Sequence, residues 1–461
     1  MTHTPEQREV LDLVGAQFDD AVQLVRDLID IPSVGPWFGD EAAVSGEGAV
    51  QAFLRGHLEG LGAGIDQWEP SAAELAVHAD GPGYFADRDF TGRPNLVGRF
   101  RSAADGSDSP ALMFLGHCDV VPGGPGWTDG PFTSSVRDGR VTGRGACDMK
   151  GGMAAALAAI RAVRSSGVQL AGDVAFASVT EEETGGMGTL ALVHRGYRPE
   201  LGIVIPEPTS LQVAPLCRGI VWGEITIPGK SGHIEIEQPD WRDGGAVDAI
   251  AYGRRLLDAV DALNARWREL PEKNHRHVPL PCQLNVAEID AGTYPSSWAG
   301  SFTIRFDVQY LPAELDEHGG GGLVRAQIEE MVREFAGDDA WLAEHPPVVN
   351  WLVDADCGET DDTHPLVVAP QTALDALGIA PVVQGVTCHT DMGLPIKAGV
   401  PTITFGPGQL SVAHQPDEYL DLAEYRTCIE AMALMILDLC GVDGAAVAAS
   451  AARATEAHAR V

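Results

Sequence analysis

Four short apolar runs constrain this chain more than any other feature: Leu96–Phe100, Ala111–Leu115, Val174–Val179 and Leu201–Ile205. Around them lie segments with apolar residues at helical spacing, Pro5–Ile29, Gly46–Leu61 and Met149–Arg164. Alternation of this kind predicts a doubly wound α/β domain with a mixed sheet. In such sheets the polar residues just past the carboxyl ends of the strands face the ligand. Here those positions read Gly116-His117-Cys118-Asp119, Thr180-Glu181-Glu182-Glu183 and Pro206-Glu207. On an extended strand His117 and Asp119 share a face and Cys118 turns away from it. Asp148 closes a Gly-rich loop immediately before the Met149–Arg164 helix.

The pattern changes in the middle of the chain. Gly219–Ile227, Cys282–Ile289, Ser301–Tyr310 and Val348–Val353 read as strands, with helices over Gly244–Trp267 and Leu323–Phe335. That order, βαββαβ, is ferredoxin-like. The α/β pattern resumes at Pro365 and runs to about Leu439, so the expectation is an inserted domain, 217–356, within a discontinuous catalytic domain, 1–216 and 357–461. The Gly319–Gly322 run reads as a loop of the insert, because no Lys-Ser/Thr follows it as a phosphate cradle requires. Past Gly441 the chain is an Ala-rich tail without a core-facing stripe.

With 31 basic against 66 acidic residues the net charge is −35, which argues against nucleic acid or an anionic membrane as partner. No apolar run approaches the ~20 residues of a membrane span. The polar start MTHTPEQREVLDLV has no secretory pattern, and the eight cysteines are scattered without a CxxC. A cytoplasmic protein with reduced thiols is expected.

The resumed α/β part adds a second imidazole, His414, within Ala413-His414-Gln415-Pro416-Asp417-Glu418-Tyr419-Leu420. Two histidines and three carboxylates can build two zinc sites that share one bridging carboxylate and leave room for water. A further carboxylate, free of metal, is then needed to move protons.

GHCDVVP, GRGACDMKGG, TEEETGG, PEPT and GPG…AHQPDEYL, in that order, resemble the zinc-dependent amidohydrolase superfamily of acetylornithine deacetylase, succinyl-diaminopimelate desuccinylase, aminoacylase and carboxypeptidase G. The resemblance covers essentially the whole chain. It implies two divalent metals, zinc first, with cobalt or manganese as alternatives. It makes Asp148 the bridging ligand, pairs His117 with Glu207 on one metal, and pairs Glu182 with His414 on the other. Glu181 matches the general base and Asp119 the carboxylate that fixes the His117 tautomer. The Asp148–Met149 peptide matches a position that is cis in relatives. Glu183 fits nothing in that scheme and reads as a solvated or capping residue, and Cys147 reads as packing. The insert becomes a lid and homodimer surface. Its Gly229-Lys230-Ser231-Gly232-His233 segment resembles a loop whose histidine helps to stabilise the oxyanion in the partner subunit.

Two features depart from the pattern. Many relatives carry Asp-x-Arg at two places where this chain has Asp307-Val308-Gln309 and Asp391-Met392-Gly393. The second of those arginines grips a substrate carboxylate, and neither Gln nor Gly replaces a guanidinium in that task. His389, Gly393, Arg218 and Lys397 are the candidate substrate contacts. Cys388-His389-Thr390-Asp391 and AHQPDEYL are closest to acetylornithine deacetylase-like members, and the same flavour occurs in relatives that deformylate aminopyrimidines. The expected activity is hydrolysis of a linear amide on a small N-acylated amine. A metallo-dipeptidase or carboxypeptidase, and a catalytically silent binding protein, are the alternatives.

Overall fold

The computed structural model describes residues 3–38, 46–102 and 109–442. The Ala-rich tail from residue 443 and most of the Arg101–Ser109 loop lie outside the described residues. The chain divides into two units: residues 1–217, 358–386 and 390–461 form one, and residues 218–357 with 387–389 form the other.

The first unit is mixed α/β. Its central sheet contains β1 (Gly64–Trp68), β2 (Asn95–Phe100), β3 (Leu112–His117), β4 (Val174–Val179), β5 (Gly202–Ile205) and β6 (Thr402–Thr404). The order across the sheet is β1-β2-β4-β3-β5-β6. β1 and β2 run antiparallel to their neighbours, whereas β3 to β6 are parallel, so the sheet is mixed. β2 and β3, consecutive in sequence, are separated by β4. Every residue of β3, β4, β5 and β6 is buried, as expected for parallel strands covered on both faces.

Helix Lys150–Ser165 crosses this sheet through small residues. A Cβ at Gly152 would stand 1.7 Å from the Pro206 carbonyl oxygen, and one at Gly151 would stand 2.2 Å from that of Ala146. Only glycine allows this close approach, and it seats the helix start against the ends of β3 and β5. The single helix expected over Pro5–Ile29 is two, Pro5–Ala16 and Phe18–Ile29. The break falls at Gln17, and Asp19 and Asp20 favour a new helix start there.

A small sheet not expected from the sequence joins Tyr419–Asp421, Arg140–Thr142 and Ser135–Arg137. Leu420 pairs with Val141, so the His414–Glu418 segment is fastened beside the loop that leads to Asp148.

The second unit is a four-stranded antiparallel sheet with Leu284–Ala291, Ser301–Tyr310, Gly219–Pro228 and Val348–Ala355 in that spatial order. Helices Ala249–Trp267 and Gly322–Ala336 cover one face, where Val221, Ile225, Phe302, Ile304 and Phe306 pack. The glycine run ahead of the second helix is filled from within the chain. Backbone N–H groups of Gly320 and Gly322 donate to Asp316, and that of Gly321 donates to Asp354.

Candidate metal centre and active site

Because β3, β4 and β5 are parallel neighbours, their carboxyl ends lie along one edge. His117 pairs in register with Val179, so the Glu181–Glu183 turn begins beside it. Glu207 follows β5 by two residues, and Asp148 precedes the helix seated on those same strand ends.

The side chains converge in two sets. His117 Nε2 lies 3.3 Å from Asp148 Oδ1 and 3.2 Å from Glu207 Oε1. His414 Nε2 lies 3.3 Å from Asp148 Oδ2 and 3.2 Å from Glu183 Oε2. Asp148 therefore offers one oxygen to each imidazole, the arrangement a bridging carboxylate requires. The Asp148–Met149 peptide is cis. Glu182 is left over, its Oε2 3.8 Å from His117 Nε2.

These distances sort the three glutamates differently from the expectation. Glu183, expected to be solvated, occupies the position beside His414 that was assigned to Glu182. Glu182 stands on the His117 side, where His117, Glu182 and Glu207 together could also hold a metal ion. Glu181 itself is fully buried away from the imidazoles, with Oε1 3.0 Å from Arg88 and Oε2 3.4 Å from Arg93. Burial pushes Glu181 up to about 7 against the pull of the two guanidiniums, and its contacts are with them rather than with the imidazoles. The role of Asp119 also shifts. Its carboxylate oxygens accept the N–H groups of Glu182 and Glu183, each at 3.1 Å. The nearest partner of His117 Nδ1 is instead the Asp119 main-chain carbonyl, at 3.0 Å against 3.6 Å for the carboxylate. Either way Nδ1 carries the proton and Nε2 faces the cluster with its lone pair.

The electrostatics fit metal. Burial, reinforced by the charge on Asp148, pushes Glu207 up to about 8. Burial also raises Glu182 and Glu183. Hydrogen bonds from His414 to Asp148 and Glu183 hold its imidazole up at about 10. His117 Nε2 and Glu183 Oε1 are buried without a hydrogen-bond partner. Four crowded carboxylates and two imidazoles, with orphaned donor atoms among them, suit two divalent cations.

Glu418, not singled out in the sequence, anchors the bridging residue. It accepts N–H bonds from Cys147 (2.9 Å) and Asp148 (3.2 Å) and pairs with the buried Arg144. Its place within AHQPDEYL, four residues past His414, was the available signal. Cys118 packs in the core, and Cys147 Sγ lies 3.2 Å from the Gln409 carbonyl rather than facing the imidazoles. Gly393 and Lys397 are in the first unit, on the short helix Gly393–Lys397. Arg218, His233 and His389 belong to the second. Arg218 donates to the Leu280 carbonyl, and His389 Nδ1 lies 3.0 Å from that of Asp356.

Two imidazoles flanking one aspartate, with further carboxylates around them at the strand ends of an α/β sheet, are the donor set a dinuclear metallohydrolase would use. The chain belongs to peptidase family M20/M25/M40, whose model matches residues 113–438. It is 28% identical over 422 residues to the N-formyl-4-amino-5-aminomethyl-2-methylpyrimidine deformylase of Bacillus subtilis (strain 168), covering 88% of this chain and 91% of that one. It is 30% identical over 355 residues to the succinyl-diaminopimelate desuccinylase of Gluconacetobacter diazotrophicus, covering 72% and 79%. Human carnosine dipeptidase 1 shares the fold, with a TM-score of 0.69 at 17% identity over 95% of this chain and all of that one.

Proposed function

We propose that this protein is a dinuclear metal-dependent amidohydrolase that removes a small acyl group from a linear amide, with an N-formyl or N-acetyl amine as substrate. The observation that carries the proposal is the carboxylate left over: Glu182 stands 3.8 Å from His117 while Asp148, Glu183 and Glu207 are matched to the two imidazoles. His117, Asp148 and Glu207 would hold one metal, and His414, Asp148 and Glu183 the other. When bound, such a pair supplies Lewis acidity and a water acidic enough to ionise near neutral pH. Zinc is the first candidate, with cobalt or manganese as alternatives.

Glu182 takes a proton from the attacking water as oxygen bonds to the amide carbon. It returns that proton to the nitrogen as the C–N bond breaks, releasing a carboxylate and a free amine. The second unit is the proposed ferredoxin-like lid and homodimer surface, and its His233 would serve the reaction in the partner subunit. The exposed His233 accepts the Glu235 N–H at Nδ1 (3.3 Å), which leaves Nε2–H to donate to an oxyanion.

Formyl-aminopyrimidine amides head the substrate list because the deformylase relatives match along 88% and 94% of this chain. The missing arginines count against a dipeptidase. Gln309 donates to Asp307, and Gly393 is packed so tightly that a Cβ on Gly358 would stand 3.2 Å from its Cα. His389, Arg218 and Lys397 remain the proposed substrate contacts. A cytoplasmic location is part of the proposal; none of the described helices is long and apolar enough to cross a membrane.

The test is turnover by stripped protein reloaded with zinc, cobalt or manganese, on N-formyl aminomethylpyrimidine, N-acetylornithine and dipeptides. Preference for the formyl or acetyl amides is expected. Dipeptide preference overturns the substrate class, and no turnover with two metals bound overturns the enzyme.

A further inference from the structure

The connection from β1 to β2 lies over the Glu181–Thr184 turn and grips it at both ends. Arg88 Nε is 3.0 Å from Glu181 Oε1, and its Nη2 donates to the Thr184 carbonyl at 3.2 Å. The same guanidinium stacks on Trp37 and Phe85, its carbon 4.3 Å and 4.7 Å from the ring centres. Arg93 reaches Glu181 Oε2 at 3.4 Å while paired with Glu47, and Glu47 accepts the Glu181 N–H at 3.2 Å. Phe85 closes over Gly185, where a Cβ would fall 2.1 Å from its ring. The two residues between the gripped ends are Glu182 and Glu183.

The geometry points to Arg88 as a positioning residue for amide hydrolysis: by holding Glu181 and the Thr184 carbonyl together, it decides which two of three consecutive glutamates face the imidazoles. Three identical side chains in a row carry no register of their own. Glu181 enters the turn at φ 65°, a conformation that disfavours a non-glycine residue. The guanidiniums hold it there by neutralising a carboxylate that is fully buried. With Arg88 gone, that carboxylate is under-compensated and gains by swinging toward the imidazoles of the cluster, which displaces Glu182. The inference rests on the reading of Glu182 as base and Glu183 as ligand.

The test uses the full-length, metal-loaded enzyme with Arg88→Gln, Arg88→Lys and the double variant Arg88→Gln/Glu181→Gln. A base displaced by about 1 Å costs up to about 100-fold in rate. Arg88→Gln is therefore expected to lower kcat about 10- to 100-fold, with KM within about threefold and metal saturated. Arg88→Lys keeps the charge but not the two-pronged grip, so it folds and still loses about tenfold. The double variant no longer buries an unmatched carboxylate and recovers at least about fivefold over Arg88→Gln. A kcat within twofold of wild type for Arg88→Gln, a loss confined to KM, or no recovery in the double variant overturns the clamp. Glu182→Gln, measured alongside, separates the failures: retained turnover there overturns the base assignment, whereas lost turnover with an unimpaired Arg88→Gln overturns the clamp alone.

Discussion

His414 Nε2 lies 3.2 Å from Glu183 Oε2, and this pair fixes the register of the Glu181–Glu183 run. The three glutamates therefore separate by experiment. Glu182→Gln is expected to lower kcat about 10²- to 10⁴-fold, the range ascribed to a general acid–base, with metal content intact. Glu183→Gln should release one of the two metals. Glu181→Gln, whose amide oxygen keeps its place beside Arg88, should lose less than tenfold. Metal analysis beside kcat decides: metal loss in Glu182→Gln with retention in Glu183→Gln would reverse the two roles.

Metal removal should invert the pH dependence of stability. In the metal-free cluster Glu207 is raised to about 8 and His414 to about 10, above unfolded values of about 4.3 and 6.5. The folded state thus binds these protons more tightly than the unfolded chain does. Their stabilisation is complete below the unfolded values and lost as pH rises through the folded ones. Tm of the stripped protein should fall between pH 5 and 9, and its gap to the loaded protein should widen. Loading must also displace those protons, so calorimetry in buffers of different ionisation enthalpy should show proton release. Parallel Tm curves would count against the cluster.

Glu418 should matter for both stability and metal. It is fully buried against Arg144. Glu418→Ala leaves that guanidinium unpaired, a loss of about 3–5 kcal/mol in denaturant unfolding. Glu418→Gln keeps one acceptor for the Cys147 and Asp148 N–H groups and should weaken metal binding about 10- to 100-fold. Unaltered metal affinity would reduce Glu418 to a purely structural role.

Gly152→Ala tests the seating of the helix on the strand ends. The added methyl meets the Pro206 carbonyl, one residue from Glu207. A destabilisation of about 1–3 kcal/mol is expected, and the His117–Glu207 metal should be the one lost. Tm and metal stoichiometry of the variant provide the check.

Much of this was legible in the sequence, because parallel strands buried on both faces leave continuous apolar runs. Val174–Val179 and Ser301–Tyr310 have the bounds their patterns indicated. The order of β2, β4 and β3 was not legible, since pairing partners are a tertiary choice. The short sheet that brings His414 to Asp148 was missed, although Val136-Arg137-Asp138-Gly139-Arg140-Val141 carries the Asp-Gly signal of a tight hairpin, with positive φ at both turn residues. The sorting of Glu181–Glu183 was hidden for a different reason. Three identical residues look alike to any motif, and what sorts them is Arg88 and Arg93, some ninety residues upstream.

Asp119 joins the two halves of the centre: its carbonyl orients His117, and its carboxylate holds the backbone of Glu182 and Glu183. An ion that seats His117 thereby presets the turn that offers Glu183 to its neighbour. Occupancy should consequently climb as a pair, with a Hill coefficient above one and little singly loaded protein at half saturation. In a cell short of the metal, such an enzyme would be a threshold device, idle until supply passes a set level and then switched on over a narrow range.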